Sequence, residues 1–467
     1  MYKKTLATAA AILLAGSAPA VMAQSAQAET VTMQEAIEIA MQSNPEILQA
    51  QYNKEAIEFE RRQAQGLFLP RVNIEASAGI RRLENNTRRQ LGIADDELYP
   101  LEAGVTGEWT VFDFGRRRGE LLRQAARVDG ASLRVVERSE FVALQIARQY
   151  LDVLLQQRVA AAAQDNAMFH QSLVSDLSRG VDEGSISIAD QQQAEERLQS
   201  ALVRSEEANL DLQNAYISLR RLTGMDISAG TLPPDLSAAM PSDLTTAIGQ
   251  ARLNNPLVRE AQADVDAANA LVDSAEGDLW PTIGIEARGR VGEDIDGFKG
   301  ETNDVQARVV LRWDVFDGGI NRAKLQETVR QASLARYALH DRQREAEEDV
   351  RLAWQQLDTQ RRITDQLGRQ SQVSDDLLLS YRSQFNIGRR SLLDVLDAQN
   401  TRFNTQVRLE TARFSQLFAQ YQTLAATSNF LDALNIAPGA GAGEAERARF
   451  NYGPPTDAEL QRRVDGD

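Results

Sequence analysis

The chain is written twice, and that constrains its fold more than any other feature. Asn44-Pro45-Glu46-Ile47-Leu48-Gln49-Ala50 returns as Asn255-Pro256-Leu257-Val258-Arg259-Glu260-Ala261, an offset of 211, and Leu69-Pro70 matches Trp280-Pro281 at the same offset. Trp109-Thr110-Val111-Phe112-Asp113 matches Trp313-Asp314-Val315-Phe316-Asp317, and Gly184 through Asp190 matches Gly388 through Asp394, both at an offset of 204. The offset falls by seven only between the proline and the tryptophan, so the first copy carries a longer loop there. A repeat that keeps register on both sides of a variable loop is one supersecondary unit used twice.

Within each copy the hydrophobic period changes in the same order. Residues 32–66 read as helix with a break at Asn44-Pro45, and Pro70 and Pro281 stop a helix because proline pushes the preceding residue out of the helical region. Two alternating stretches follow in each copy, expected as strands over about 71–83, 100–112, 282–292 and 304–314. One face is apolar (Val72, Ile74, Val105, Trp109, Ile285, Val309); the other carries Glu75, Glu102, Glu108, Glu286, Arg288, Arg290, Arg308 and Arg312. Polar loops, 84–97 and 293–304, separate the strands as exposed hairpin tips do. Each copy then runs through a helix of about 65 residues, or ~100 Å, to a glycine-marked turn at Gly184 or Gly388, and back along one of about 38. Two seven-residue rows on the last helix, Leu393-Asn400-Val407-Phe414-Tyr421 and Leu396-Phe403-Glu410-Leu417-Leu424, read as coiled-coil seams. The boundaries read as a first repeat over 24–231, a linker over 232–242, a second repeat over 243–435 and a disordered tail over 436–467.

Several function classes drop out. There is no cysteine, so no disulfide framework, thiolate zinc site or catalytic thiol. The only histidines, His170 and His340, read as helix-surface residues and make no metal site. No Ser/His/Asp set or nucleotide loop stands out; Asp113 and Asp317 read as caps at strand-to-helix turns. The expectation is therefore a non-enzyme without catalytic residues, cofactor or metal. A net charge of −16 is a poor match to nucleic acid. Residues 1–23, with Lys3 and Lys4 before the apolar run 6–15 and Val21-Met22-Ala23 at the cut, read as a secretory signal peptide. No later apolar run is long enough for a spanning helix, so membrane insertion is left to the strands.

Strands of about 9–12 residues cross a bilayer when tilted, but four cannot close a barrel and open edges are not tolerated in lipid. Two copies make eight strands, whose interior fills with side chains; three make twelve around a lumen. Trp109, Trp280, Trp313, Tyr99 and Phe112 near the strand ends fit interfacial girdles.

Met33-Gln-Glu-Ala-Ile-Glu-Ile-Ala with Asn44-Pro45, the paired Val-Phe-Asp turns and Gly388-Arg-Arg-Ser-Leu-Leu-Asp-Val-Leu-Asp-Ala-Gln399 resemble the TolC family of outer-membrane efflux and type I secretion ducts over roughly residues 30–435. The resemblance implies a mainly α chain with a small membrane β part. It implies a homotrimer whose twelve-stranded β-barrel in the outer membrane continues into a twelve-helix periplasmic α-barrel. Its partners would be outer-membrane lipid, a periplasmic adaptor and an inner-membrane RND or ABC transporter that supplies the energy. The helix tips would form the periplasmic entrance. Asp394 and Asp397, three apart on one helix face, then match a cation-attracting selectivity ring whose crowded carboxylates raise one another's pKa; spacing alone fits a solvated helix N-terminus equally well. Arg390 matches a gate latch, with Asp190 as the inferred partner, and Phe385 stands where a hydrogen-bonding tyrosine would help. No N-terminal cysteine is available for acylation, as in the unlipidated branch. A periplasmic coiled-coil adaptor or scaffold is the competing expectation; it has no use for a lipid-facing band of strand residues.

Overall fold

The structure is a computed structural model and describes residues 29–465; the expected signal peptide lies outside the described residues. The first copy runs β1 (Glu29–Val31), α1 (Met33–Ser43), α2 (Pro45–Gly66), β2 (Arg71–Ala78), β3 (Arg81–Arg82), α3 (Asn86–Gln90), β4 (Glu97–Leu98), β5 (Leu101–Phe112), α4 (Arg116–Asp182), α5 (Ile188–Thr223) and β6 (Ile227–Ala229). The second runs α6 (Leu244–Asn254), α7 (Pro256–Gly277), β7 (Thr282–Glu293), β8 (Glu301–Arg312), α8 (Ile320–Asn386), α9 (Leu392–Ala426) and α10 (Phe430–Ala433), and α11 (Asp457–Asp465) is the last element among the described residues.

The local chemistry of the repeat is visible at its joints. Asn44 Oδ1 accepts from the Glu46 amide and Asn255 Oδ1 from the Leu257 amide, both at 2.9 Å, so each Asn-Pro pair supplies an N-cap and a first helical residue. The breaks at Asn44 and Asn255 therefore split each short helical run in two. Helices α2 and α7 end at Gly66 and Gly277, four residues before the prolines, in turns closed by backbone bonds. Both long helices have 67 residues and start from glycines in the left-handed region, Gly115 at φ +94° and Gly319 at φ +87°.

In the strand-proximal half the helices lie side by side as α2–α4–α7–α8; in the distal half α5 and α9 take the places of α2 and α7. Between the halves sits the largest core cluster, where Met33, Ile37, Ile146, Tyr150, Leu219, Tyr421 and Phe430 are buried. The Tyr150 hydroxyl donates to the Val31 and Thr231 carbonyls and that of Tyr421 to Pro234, which ties the inter-repeat linker to this equator.

Four of the strands form one antiparallel sheet in the order β2-β5-β7-β8; it is open, and among the described residues no barrel closes within one chain. Three expectations differ. The first strand stops at Ala78, and beyond it β3, α3 and β4 make a small folded tip held by buried Arg88, which donates to the Ile93, Asp96 and Gly297 carbonyls. Strand β8 starts at Glu301 rather than 304, because polar Thr302 and Asn303 still pair with Gly292 and Val291 and only 294–300 are left for the turn. The tail, read as disordered, is packed: its few apolar residues underestimate it because its partners are buried charges, above all Asp129.

Candidate functional site: the helix tips and the open sheet

The two tip turns are built alike. Gly184 and Gly388 hold φ of +74° and +72°, which ends the long helix at little steric cost. Three residues on, Ser187 and Ser391 cap the returning helices: each accepts from the amide of Asp190 or Asp394 and donates its hydroxyl back to that carboxylate at 2.7 Å. Asp190 and Asp394 are thus the same device in the two copies. The Ser391 hydroxyl holds the Asp394 carboxyl below its ordinary value, and Arg390 adds to the effect. Within one chain this opposes the upward shift expected from crowding. Asp397 lies one turn further along, on the exposed face with Leu393 and Asn400.

Arg390 does not meet Asp190 within the chain. Its Nη1 lies 3.7 Å from Asp394 Oδ2, its Nε donates to Gln384 Oε1 at 3.2 Å, and its guanidinium sits over the Tyr381 ring. The motif reading missed Tyr381; its place one helical turn before Phe385 is the only signal that could have found it. Phe385 packs against the clusters of Leu173, Leu177, Leu392 and Leu396 and of Leu378, Val395 and Ala398, so it seals the seam between the two hairpins.

That seam has a polar layer. Gln399 Nε2 donates to Asn166 Oδ1 at 2.8 Å, and both are buried. His170, one turn nearer the tip, is buried against Phe169 rather than on the surface as expected, and desolvation lowers its pKa. His340 is exposed. Of the two heptad rows, one is buried at Leu396, Phe403 and Leu424 and half-buried at Glu410 and Leu417; the other begins exposed at Leu393 and Asn400 and is buried only at Phe414 and Tyr421. A helix of 3.6 residues per turn drifts off a seven-residue repeat by about 20° per heptad, which carries that row inward.

On the sheet, one face exposes Val72, Ile74, Val105, Trp109, Val305 and Val309, the last two 89% and 73% accessible. The other carries cross-strand ion pairs: Arg288 with Glu102, Arg290 with Asp304 at 3.2 Å, and Arg308 and Arg312 with Glu286. Trp109 Nε1 donates to the Phe68 carbonyl and Trp313 Nε1 to that of Leu279, so each copy ties a strand end to the turn after its short helix. Trp280 stacks on Phe114, which meets Phe112 edge-on. Tyr99 stands at the opposite end, its hydroxyl on Glu97. The aromatics are therefore gathered at both ends of the strands. Among the described residues no cluster could hold a metal ion and no helix is long and apolar enough to cross a membrane.

Known proteins share this fold. BepC of Brucella suis, named an outer membrane efflux protein, is 26% identical over 61% of this chain, which spans 62% of BepC. TolC of Escherichia coli is 22% identical over 81% of this chain and 78% of its own. In structure, the CmeC outer membrane channel of Campylobacter jejuni superposes with a TM-score of 0.75 at 14% identity, covering 85% of this chain and 86% of CmeC. A sequence model described as "Outer membrane efflux protein" matches residues 36–225 and 247–429, one block in each repeat. The chain belongs to the outer membrane efflux protein family, that of TolC.

Proposed function

We propose that the chain is one third of a passive exit duct: a homotrimer whose twelve strands close a barrel in the outer membrane above a twelve-helix periplasmic tunnel. The observation that carries this is the open sheet. Strands β2 and β8 are its two edges, and its apolar face is exposed. The edge strands run in opposite directions, so β8 of one copy meets β2 of the next as another antiparallel pair. Below them the edge helices α2 and α5 expose Tyr52, Phe59, Leu210 and Ile217, and α8 exposes Leu334, Tyr337, Leu352 and Val373. Two different edges make a head-to-tail contact, which ends only in a closed ring.

The tip then serves as the periplasmic entrance, where Asp394 and Asp397 attract cations and Arg390 helps keep the hairpins together. Such a duct has no energy source of its own; a periplasmic adaptor and an inner-membrane RND or ABC transporter supply it. The sheet argues against a scaffold, which has no use for an apolar face flanked by aromatics.

The cysteine-free chain makes the test clean. Asn73→Cys in β2 and Gln306→Cys in β8, both on the polar face, are combined and joined in membranes by thiol-specific linkers of graded length, because barrel closure staggers the strands and sets the two positions apart along the shared edge. A ladder ending at a covalent trimer supports the duct; a ladder ending at the dimer, or monomer alone with either cysteine still reactive, overturns it.

A further inference from the structure

The tail lies beyond the last residue that the family's sequence model matches, and nothing in the duct reading uses it. From the buried equatorial Ile436 it climbs the groove formed by α2, α4 and α7. The Gly439 amide donates to Ser139 Oγ at 3.0 Å. Glu444 pairs with Arg259 of α7 and Glu446 with Arg61 of α2. The Tyr452 hydroxyl reaches Asp273 at 3.4 Å, and Arg463 reaches Glu276 at 3.3 Å. The partners on α4, from Ser139 to the Phe114–Leu122 region beside Gly453, span about 30 Å of helix.

The centre of this run is a buried junction. Asp129 of α4, 2% exposed, accepts from three successive amides: Ala445 at 3.1 Å, Glu446 at 2.9 Å and Arg447 at 3.0 Å. Arg447 Nε adds a fourth bond at 2.9 Å, and its guanidinium spans to Asp266 of α7 and to Glu444. A buried carboxylate is strongly unfavourable unless paired and hydrogen-bonded, and here all of that satisfaction comes from the tail. The docked tail and the groove therefore specify one another.

We infer that residues 436–465 are a strap, with Arg447 as its buckle, that locks α2, α4 and α7 into one rigid collar. The two repeats, which also meet through α4–α7 and α4–α9 packing and the β5–β7 pair, are cross-tied by it beside the α4–α7 joint. The collar keeps the strand-proximal half fixed while the hairpins below the equator move. This goes beyond the duct reading and does not depend on it, since the collar exists in each chain.

Hydrogen–deuterium exchange of the purified full-length protein tests the strap, whether or not the protein conducts. Two variants release it by different means. Arg447→Ala removes the buckle. Gly439→Val changes no charge but adds bulk where even a Cβ would lie 2.6 Å from Ile47 Cγ2 and 2.9 Å from Gln51 Nε2. The strap predicts that amides 445–447 are protected in the wild type and exchange at least tenfold faster in both variants. Amides of α2, of α4 above Ser139 and of α7 then speed up as well, while those of α5 and α9 near the tip do not. Unprotected 445–447 in the wild type, or release without any change in α2, α4 and α7, overturns the inference. So does loosening in Arg447→Ala alone, which marks the bared Asp266 and not the strap.

Discussion

The guanidinium carbon of Arg390 lies 4.0 Å from the centre of the Tyr381 ring, on the same chain and nine residues away. The arginine that the family resemblance makes a latch is thus seated on its own hairpin, with Gln384 and Asp394 as polar neighbours. An exposed cation–π contact contributes about 0.5–1 kcal/mol. If closure runs through this seat, Tyr381→Ala raises the open population about two- to fivefold per protomer, as far as Arg390→Ala does. Single-channel conductance in planar bilayers reads this. An inter-subunit latch instead predicts that Asp190→Ala opens the channel and Tyr381→Ala does not.

The two acids of the entrance are unequal. Asp394 Oδ2 already accepts from the Ser391 amide and hydroxyl and faces Arg390, whereas Asp397 stands on the exposed face. A carboxylate committed to its own helix end attracts a passing cation less than a free one. Asp397→Asn is therefore expected to reduce cation-over-anion preference in reversal-potential measurements more than Asp394→Asn does. Equal losses would remove the distinction.

Glu140 should make equatorial stability depend on pH. Burial, with nearby Asp432, pushes its pKa up to about 8, while the Leu431 amide donates to it weakly at 3.4 Å. Its Oε2 is inaccessible and has no hydrogen-bond partner. A raised folded-state pKa means that the folded chain holds the proton more tightly. The resulting stability is fully present below about 4.5 and is lost as pH rises to about 8, on the order of a few kcal/mol across the window. Glu140→Gln removes this slope, so the variant gains on the wild type as pH rises and the gap stays constant above about 8. Parallel melting-temperature curves from pH 5 to 9 would refute it.

How far the fold was legible depended on whether its signal was local. The duplication, the Asn-Pro caps, the period-two strands and the glycine turns are all written within a few residues, and each copy repeats the other. Interactions across the chain left no such trace. Arg88 reads as one charge in a polar loop, yet it reaches Gly297 in the other copy's hairpin. His170 is buried among the packed long helices, and on a helix this long and polar, periodicity does not mark it. The tail's composition is that of a disordered segment, and its order comes from Asp129, more than 300 residues earlier. At the tip the turn was legible but the side-chain partnerships were not: Asp190 and Asp394 announced a shared position, and Tyr381 announced nothing.

The strand-to-helix turns give a last prediction, because there the two copies use the same aspartate differently. Asp113 is buried and accepts from both Nε and the amide of Arg117, at 2.7 and 3.1 Å. The same guanidinium donates to the Thr110 and Leu67 carbonyls, which joins the end of β5 to the turn after α2, and it lies over the Phe68 ring. At the equivalent place in the second copy, Asp317 is half-buried and bonds the Gly319 and Asn321 amides, with Asn321 where Arg117 would be. Removing one partner of a buried ion pair costs about 3–5 kcal/mol, because the other charge is left uncompensated. Losing one long side-chain hydrogen bond, as from Asn321 to Asp278, costs about 0.5–1.5 kcal/mol. Arg117→Ala should therefore lower the melting temperature of the purified protein several times more than Asn321→Ala does. Equal shifts would mean that water reaches Asp113 once the arginine is gone, and that the clamp adds no more than an ordinary cap.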